Sequence, residues 1–124
     1  MIEQTETQDI TSIIIGAAFA VSNTLGHGFL EAIYKNALAE ELLAHGLSVS
    51  KEKSFPVFYR GKQMGFYVAD LIIDDRVIVE LKAVDQLVEA HRAQLINYLK
   101  ASDLKVGLLF NFGRPKIEVR RVLL

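Results

Sequence analysis

The chain has 124 residues and a formal net charge of −1, from 14 basic and 15 acidic residues. That length makes one domain with one core, and a composition of 51% apolar and 23% charged residues excludes disorder, collagen-like repeats and coiled coil. No Cys is present, which removes disulfides, thiolate metal sites, iron–sulfur clusters and thiol nucleophiles; the near-neutral balance means that any nucleic-acid binding rests on a local basic surface.

The opening Met1-Ile2-Glu3-Gln4-Thr5-Glu6 lacks the basic start of a signal peptide, and the apolar run Ile13 to Val21 is too short to span a bilayer. The expectation is a soluble, cytoplasmic protein with no membrane association. Helical spacing of Ile10, Ile13, Ile14, Ala17, Ala18 and Val21 predicts a first helix over residues 8–23, with Thr7 or Asp9 as its cap. Gly26 and Gly28 break it. A second helix runs from about Leu30 to Ala44, with Gly46 where a C-terminal glycine is expected.

Strands dominate the middle. Leu47 to Phe55 and Val57 to Arg60 lead into a turn at Gly61-Lys62, and Phe66 to Ile73 and Val77 to Ala83 are rich in β-branched and aromatic residues. Asp74-Asp75-Arg76 joins the last two as a tight hairpin. A third helix covers about Gln86 to Ala101. Val106 to Phe112 reads as a strand buried on both faces, and Ile117 to Leu123 closes the chain after a turn at Gly113-Arg114-Pro115. The order α-α-β-β-β-α-β-β implies antiparallel hairpins, one crossover and a mixed sheet with helices on its faces.

The chemistry concentrates on the hairpin. Side chains alternate along a strand, so Val77, Val79 and Leu81 share one face while Glu80 and Lys82 share the other. Alone, such a pair is commonly a solvated face or surface ion pair. Asp70 changes the reading. With a three-residue turn, Ile73 pairs with Val77 and Asp70 stands opposite Glu80; a two-residue loop would separate them. Two facing carboxylates repel, and a hard divalent cation, Mg²⁺ or Mn²⁺, removes the conflict.

Two helices add candidates. Glu31 shares a helical side with Tyr34, Leu38 and Leu42 and is expected to point inward. Taken alone it reads as a helix-start carboxylate, favourable by about 0.3–1 kcal/mol; the other reading is a third acid over the cation. His91, Gln94 and Tyr98 share a face of the third helix, either as boundary residues or as groups orienting a phosphate or water. His27, between two glycines, reads as a loop or capping residue, with metal ligation as the alternative. His45 reads as a helix C-terminal residue.

Together these residues resemble a known family. Gly28…Glu31…Tyr34 is similar to the signature of the small bacterial GxxExxY proteins of the PD-(D/E)XK nuclease superfamily. Asp70 with Glu80-Leu81-Lys82 resembles the superfamily's D…ExK core, and Gln94 to Tyr98 resembles the QxxxY element of its RecB-like branch. Ala69 stands where the superfamily has its Pro. The resemblance spans about Ile10 to Val122. It implies a single-domain, restriction-endonuclease-like α/β fold with an α-β-β-β-α-β core over residues 1–124.

The implied activity is metal-dependent phosphodiester hydrolysis in nucleic acid, DNA being the favoured substrate. Asp70, Glu80 and the Leu81 carbonyl would bind Mg²⁺ or Mn²⁺, and Glu31 a second ion or a metal-bound water. Lys82 would orient the water or, as the preferred role for an ammonium beside carboxylates, stabilise developing negative charge. Gln94 and Tyr98 would position the nucleophile or phosphate. Lys51, Lys53, Arg92, Arg114 and Lys116 are the expected nucleic-acid contacts; ordinary solubilising charge is the alternative. A second hypothesis keeps the fold without catalysis, as a nucleic-acid- or protein-binding module working as a homodimer or with a partner protein through Tyr59, Tyr67 or Val122-Leu123-Leu124. A small-molecule enzyme is disfavoured, because Gly26-His27-Gly28 lacks the spacing of a phosphate-binding loop.

Overall fold

Apolar alternation on the strands and apolar stripes on the helices divide the core into two layers around one sheet. The computed structural model describes residues 2–124, with side chains from Glu6 onward. Its elements are α1 (Ile2–Leu25), α2 (Glu31–Ala44), β1 (Val49–Tyr59), β2 (Lys62–Ile73), β3 (Val77–Lys82), α3 (Glu89–Ser102), β4 (Val106–Asn111) and β5 (Glu118–Leu123). The order matches that expected from sequence. The five strands lie in the order β1-β2-β3-β4-β5; only β3 and β4 are parallel.

On one face Val77, Val79, Leu81, Leu108 and Phe110 pack with α1 and α2, whose contributions include Ile14, Ala18, Tyr34 and Leu38. On the other, Ile72, Ile78, Leu109 and Val122 pack with Leu95 and Leu99 of α3. The central strands β3 and β4 are thus covered on both sides, which is why Val106–Phe110 is continuously apolar rather than alternating. Gly107 admits α3 closely: a Cβ there would meet Leu95 at 2.9 Å.

The boundaries differ from expectation in physically readable ways. Helix α1 spans Ile2–Leu25, so Thr7 and Asp9 lie inside it rather than at its start. An ion pair of 2.9 Å between Glu6 and Arg76 fastens its early turns to the β2–β3 loop. β1 runs unbroken through Pro56, which an edge strand tolerates because its free side needs no N–H. The β1–β2 turn is Arg60-Gly61, one residue earlier than expected. Both residues have positive φ (49° and 75°) and Tyr59 pairs with Lys62, as a two-residue hairpin turn requires. Helix α3 starts at Glu89, because the Leu87 N–H is taken by Glu118 Oε1 and the Val88 N–H by His91 Nδ1.

Asn111, the lone polar residue in the buried run of β4, organises the loop after β3. Its Oδ1 accepts from the N–H groups of Val84 (2.9 Å) and Gly113 (3.0 Å), and its Nδ2 donates to Val84 O (2.9 Å) and Glu118 Oε1 (2.8 Å). Gly113 lies so close to this loop that a Cβ would collide with the backbone N and O of Val84. Backbone cannot yield as a side-chain tip can, so Gly113→Ala is expected to destabilise the fold by about 2 kcal/mol or more. A lower urea midpoint at unchanged m-value would register this.

Candidate active site

Glu80 and Lys82 occupy the β3 face toward α3, as alternation demands. Glu80 is buried, at 6% exposure, and Lys82 Nζ lies 3.4 Å from Gln94 Oε1 of α3. The three-residue turn is present: Ile73 pairs with Val77, Ile72 with Ile78 and Leu71 with Val79. One step further along this register, Asp70 meets Glu80, and there the backbone ladder gives way to crossed bonds. The Asp70 N–H donates to Glu80 Oε2 at 2.7 Å, and the Leu81 N–H donates to Asp70 Oδ2 at 2.9 Å. Each carboxylate spends one oxygen on its neighbour's strand. The second oxygen of each has no hydrogen bond among the described residues.

The sheet opens at this point. On the β1 side the pairing passes from Lys51–Leu71 to Lys53–Ala69 and skips Glu52, whose φ is 54°. Ala69 packs in the α3-side cluster and Leu71 in the α1/α2-side cluster, although residues two apart on a regular strand share a face. Strand β2 therefore rotates at Asp70.

Electrostatics reports the strain between the acids. Burial, and next the charge of Asp70, push the Glu80 carboxyl up to about 8, against the opposing effects of the Asp70 N–H and the Lys82 ammonium. Glu31 is also raised, first by partial burial and then by Asp70, with Lys82 and Lys35 acting against it. Thus Glu31, Asp70, Glu80 and Lys82 share one electrostatic neighbourhood. Contrary to expectation, Glu31 is exposed: it stands at the rim, at the first residue of α2, and does not point into the core. Among the described residues no three His, Asp or Glu side chains form a metal-holding group. The compact donors are the Asp70–Glu80 pair, whose hard oxygens and mutual repulsion suit a divalent cation.

Tyr98 is half-buried, and its hydroxyl is raised by burial, Glu80 and Asp70, opposed by a hydrogen bond with Gln94. Its ring stacks on Tyr67 at 4.0 Å, which in turn stacks on Phe55 at 5.2 Å. Tyr67 donates its hydroxyl to Tyr98 O at 2.7 Å, so in this structure its ring and hydroxyl are engaged within the chain. His27 lies in the loop before α2, since the helix does not reach back to it, and His91 serves the start of α3. The expected phosphate contacts are spread out. Lys51 bonds Asn36 Oδ1 at 3.3 Å, Lys53 lies 3.9 Å from Asp75, and Arg92 lies 3.4 Å from Glu89. Arg114 and Lys116 are exposed on the β4–β5 loop, at the same end of the sheet as Lys82.

Two buried polar side chains support the site in roles that spacing and motif order alone do not show. Tyr34 is fully buried, stacks on Phe112 at 4.6 Å, donates its hydroxyl to Gly26 O at 2.7 Å and accepts from the Phe29 N–H at 3.2 Å. It pins the loop that delivers Glu31. Asn111 does the same for the loop after Lys82; its isolation in an apolar run was the available signal.

Two adjacent strands of a mixed sheet carrying Asp70 and Glu80-Leu81-Lys82, with helices on both faces, define a restriction-endonuclease-like α/β protein. A family model of the PD-(D/E)XK nuclease superfamily matches residues 8–122, and the chain belongs to that superfamily. The crystal structure of SSO0001 has a similar fold, with a TM-score of 0.58 at 21% sequence identity, covering 94% of this chain and 58% of that one. The chain thus spans little more than half the length of that structure. No curated protein matches the sequence.

A pH dependence follows from Glu80. Folded, it keeps its proton to about pH 8; unfolded, it loses it near its ordinary 4.5. The folded state binds the extra proton between these values, so metal-free stability falls as pH rises through that window, by on the order of 1–3 kcal/mol. Glu80→Gln is expected to flatten the decline, measured by denaturant titration in EDTA from pH 5 to about 8.5.

Proposed function

We propose that the chain is a metal-dependent nuclease that hydrolyses phosphodiester bonds in nucleic acid, with DNA as the expected substrate. One observation carries the reading: Asp70 and Glu80 cross-bond at the opening of the sheet, each with an oxygen to spare, and Lys82 follows on the same strand face. Asp70, Glu80 and the Leu81 carbonyl would hold Mg²⁺ or Mn²⁺. When bound, such a cation acidifies water and neutralises phosphate charge.

The remaining work falls to the chain's own groups. Lys82 supplies a positive charge beside the carboxylates, suited to a developing oxyanion. Gln94 touches Lys82 and so holds the ammonium in place, and with Tyr98 one turn further along α3 it offers an amide and a phenol to a phosphate or water. Glu31 at the rim would take a water or a second ion. The order Gly28, Glu31, Tyr34, then Gln94 and Tyr98, supports placement among the GxxExxY proteins and the RecB-like branch. Lys51, Lys53, Arg92, Arg114 and Lys116 would meet the phosphates.

Purified protein with Mn²⁺ is expected to cut DNA, and Asp70→Ala, Glu80→Gln and Lys82→Ala each to lower the rate by about 100-fold or more. Calorimetry should detect Mn²⁺ binding that Asp70→Ala removes. Cleavage that survives all three changes would belong to a contaminant. Nucleic-acid binding without metal uptake or cleavage would instead support the non-catalytic module.

A further inference from the structure

Past Asp70, strands β1 and β2 continue with no third strand beside them among the described residues. Residues 53–69 pair only with each other, as an arm running beyond the end of β3 that carries Glu80 and Lys82. An isolated two-stranded ribbon is marginal in water. This one is anchored at its base by the stack of Phe55, Tyr67 and Tyr98.

Its composition is unlike the rest of the chain. From Lys53 to Ala69 there are three cations, Lys53, Arg60 and Lys62, and no acid, in a chain of net charge −1. The same stretch holds three of the seven Phe and two of the four Tyr. Phe58, Tyr59 and Phe66 are 61%, 59% and 65% exposed. The Arg60 guanidinium sits 5.2 Å from the Tyr59 ring, and the Lys53 ammonium 5.7 Å from the Phe55 ring.

Phe66 pairs with Pro56, and Phe58 follows Pro56 by two residues on β1, so these two rings share a face of the ribbon. We infer that this arm binds single-stranded nucleic acid, with bases stacking on Phe58 and Phe66 and phosphates meeting Lys53, Arg60 and Lys62. Rings left in water cost free energy unless a π-face covers them, and interleaved cations select a polyanion. A duplex keeps its base faces covered by its own stacking. A second copy of the arm would set these cations against their equals, so self-pairing is electrostatically opposed. The stack at the base of the arm leads to α3, where Gln94 and Tyr98 stand near Glu80. Strand β2 itself runs from the arm to Asp70, so a strand bound along the arm lies near the opening. The inference rests on the nuclease reading and specifies its substrate as single-stranded.

The test is fluorescence anisotropy in EDTA, so that binding is measured apart from cleavage. The probes are a labelled oligothymidylate of about 16 nucleotides, the equivalent oligouridylate, and a duplex of the same length. Either single strand is expected to bind more tightly than the duplex, the tighter of the two distinguishing DNA from RNA. Phe58→Ala and Phe66→Ala are each expected to weaken binding about tenfold, with unchanged melting because both rings are exposed. Arg60→Ala should reduce the log–log salt slope by about 0.7. Because binding is read in EDTA, a loss of cleavage alone would leave the arm's role standing. Equal or tighter duplex binding, or affinity indifferent to both ring removals, would overturn the inference. So would a dimer in sedimentation that Phe66→Ala dissociates, which would assign the arm to a second copy.

Discussion

The structure turns on two hydrogen bonds that cross between β2 and β3. A carboxylate on each strand takes a backbone N–H of the other, where an ordinary ladder would use carbonyls. The exchange holds the strands together while letting them part. It also confines two negative groups beside one another, one of them buried, and burial is the largest cause of the raised Glu80 carboxyl. In the absence of a cation the fold meets this conflict by keeping a proton on the pair.

That tension is tolerable because the surroundings cannot relax. β3 and β4 are packed on both faces, so Glu80 and Lys82 ride on the stiffest part of the sheet. The loops that leave this region are tied by single buried polar side chains, Tyr34 before α2 and Asn111 after β3. Each satisfies several backbone groups at once, which is how a small chain fixes loops without staples. The division of labour in Gly28…Glu31…Tyr34 then becomes physical: Gly28, at φ 110°, turns the chain, Tyr34 anchors the turn, and Glu31 is presented.

Much of this was legible in the residues. The element order follows from periodicity, and the facing of Asp70 and Glu80 follows from counting residues through Asp74-Asp75-Arg76. Membership of the superfamily was readable as a resemblance, carried by motifs in order on helix, hairpin and helix. What escaped were features set by tertiary contact. The rotation of β2 at Asp70 and the left-handed Glu52 opposite it leave no mark in composition. The exposure of Glu31 contradicts its position on an apolar stripe, because the first residue of a helix has no preceding turn to bury it. The packing of Tyr67 is invisible to local spacing because its stacking partners, Phe55 and Tyr98, are 12 and 31 residues away.

Pro56 has a consequence for the outer edge of the sheet. β1 is long and lies outermost, a shape that invites another chain to add its own strand. Pro56 withholds a donor in the middle of that edge, and the pairing shifts register immediately beyond it, between Val57 and Phe58. Lys51 and Lys53 set positive charge along the same margin. An uninterrupted template for polymerisation is thereby broken into short lengths, and the molecule can display bare aromatic rings on a protruding ribbon without seeding fibrils from its own flank.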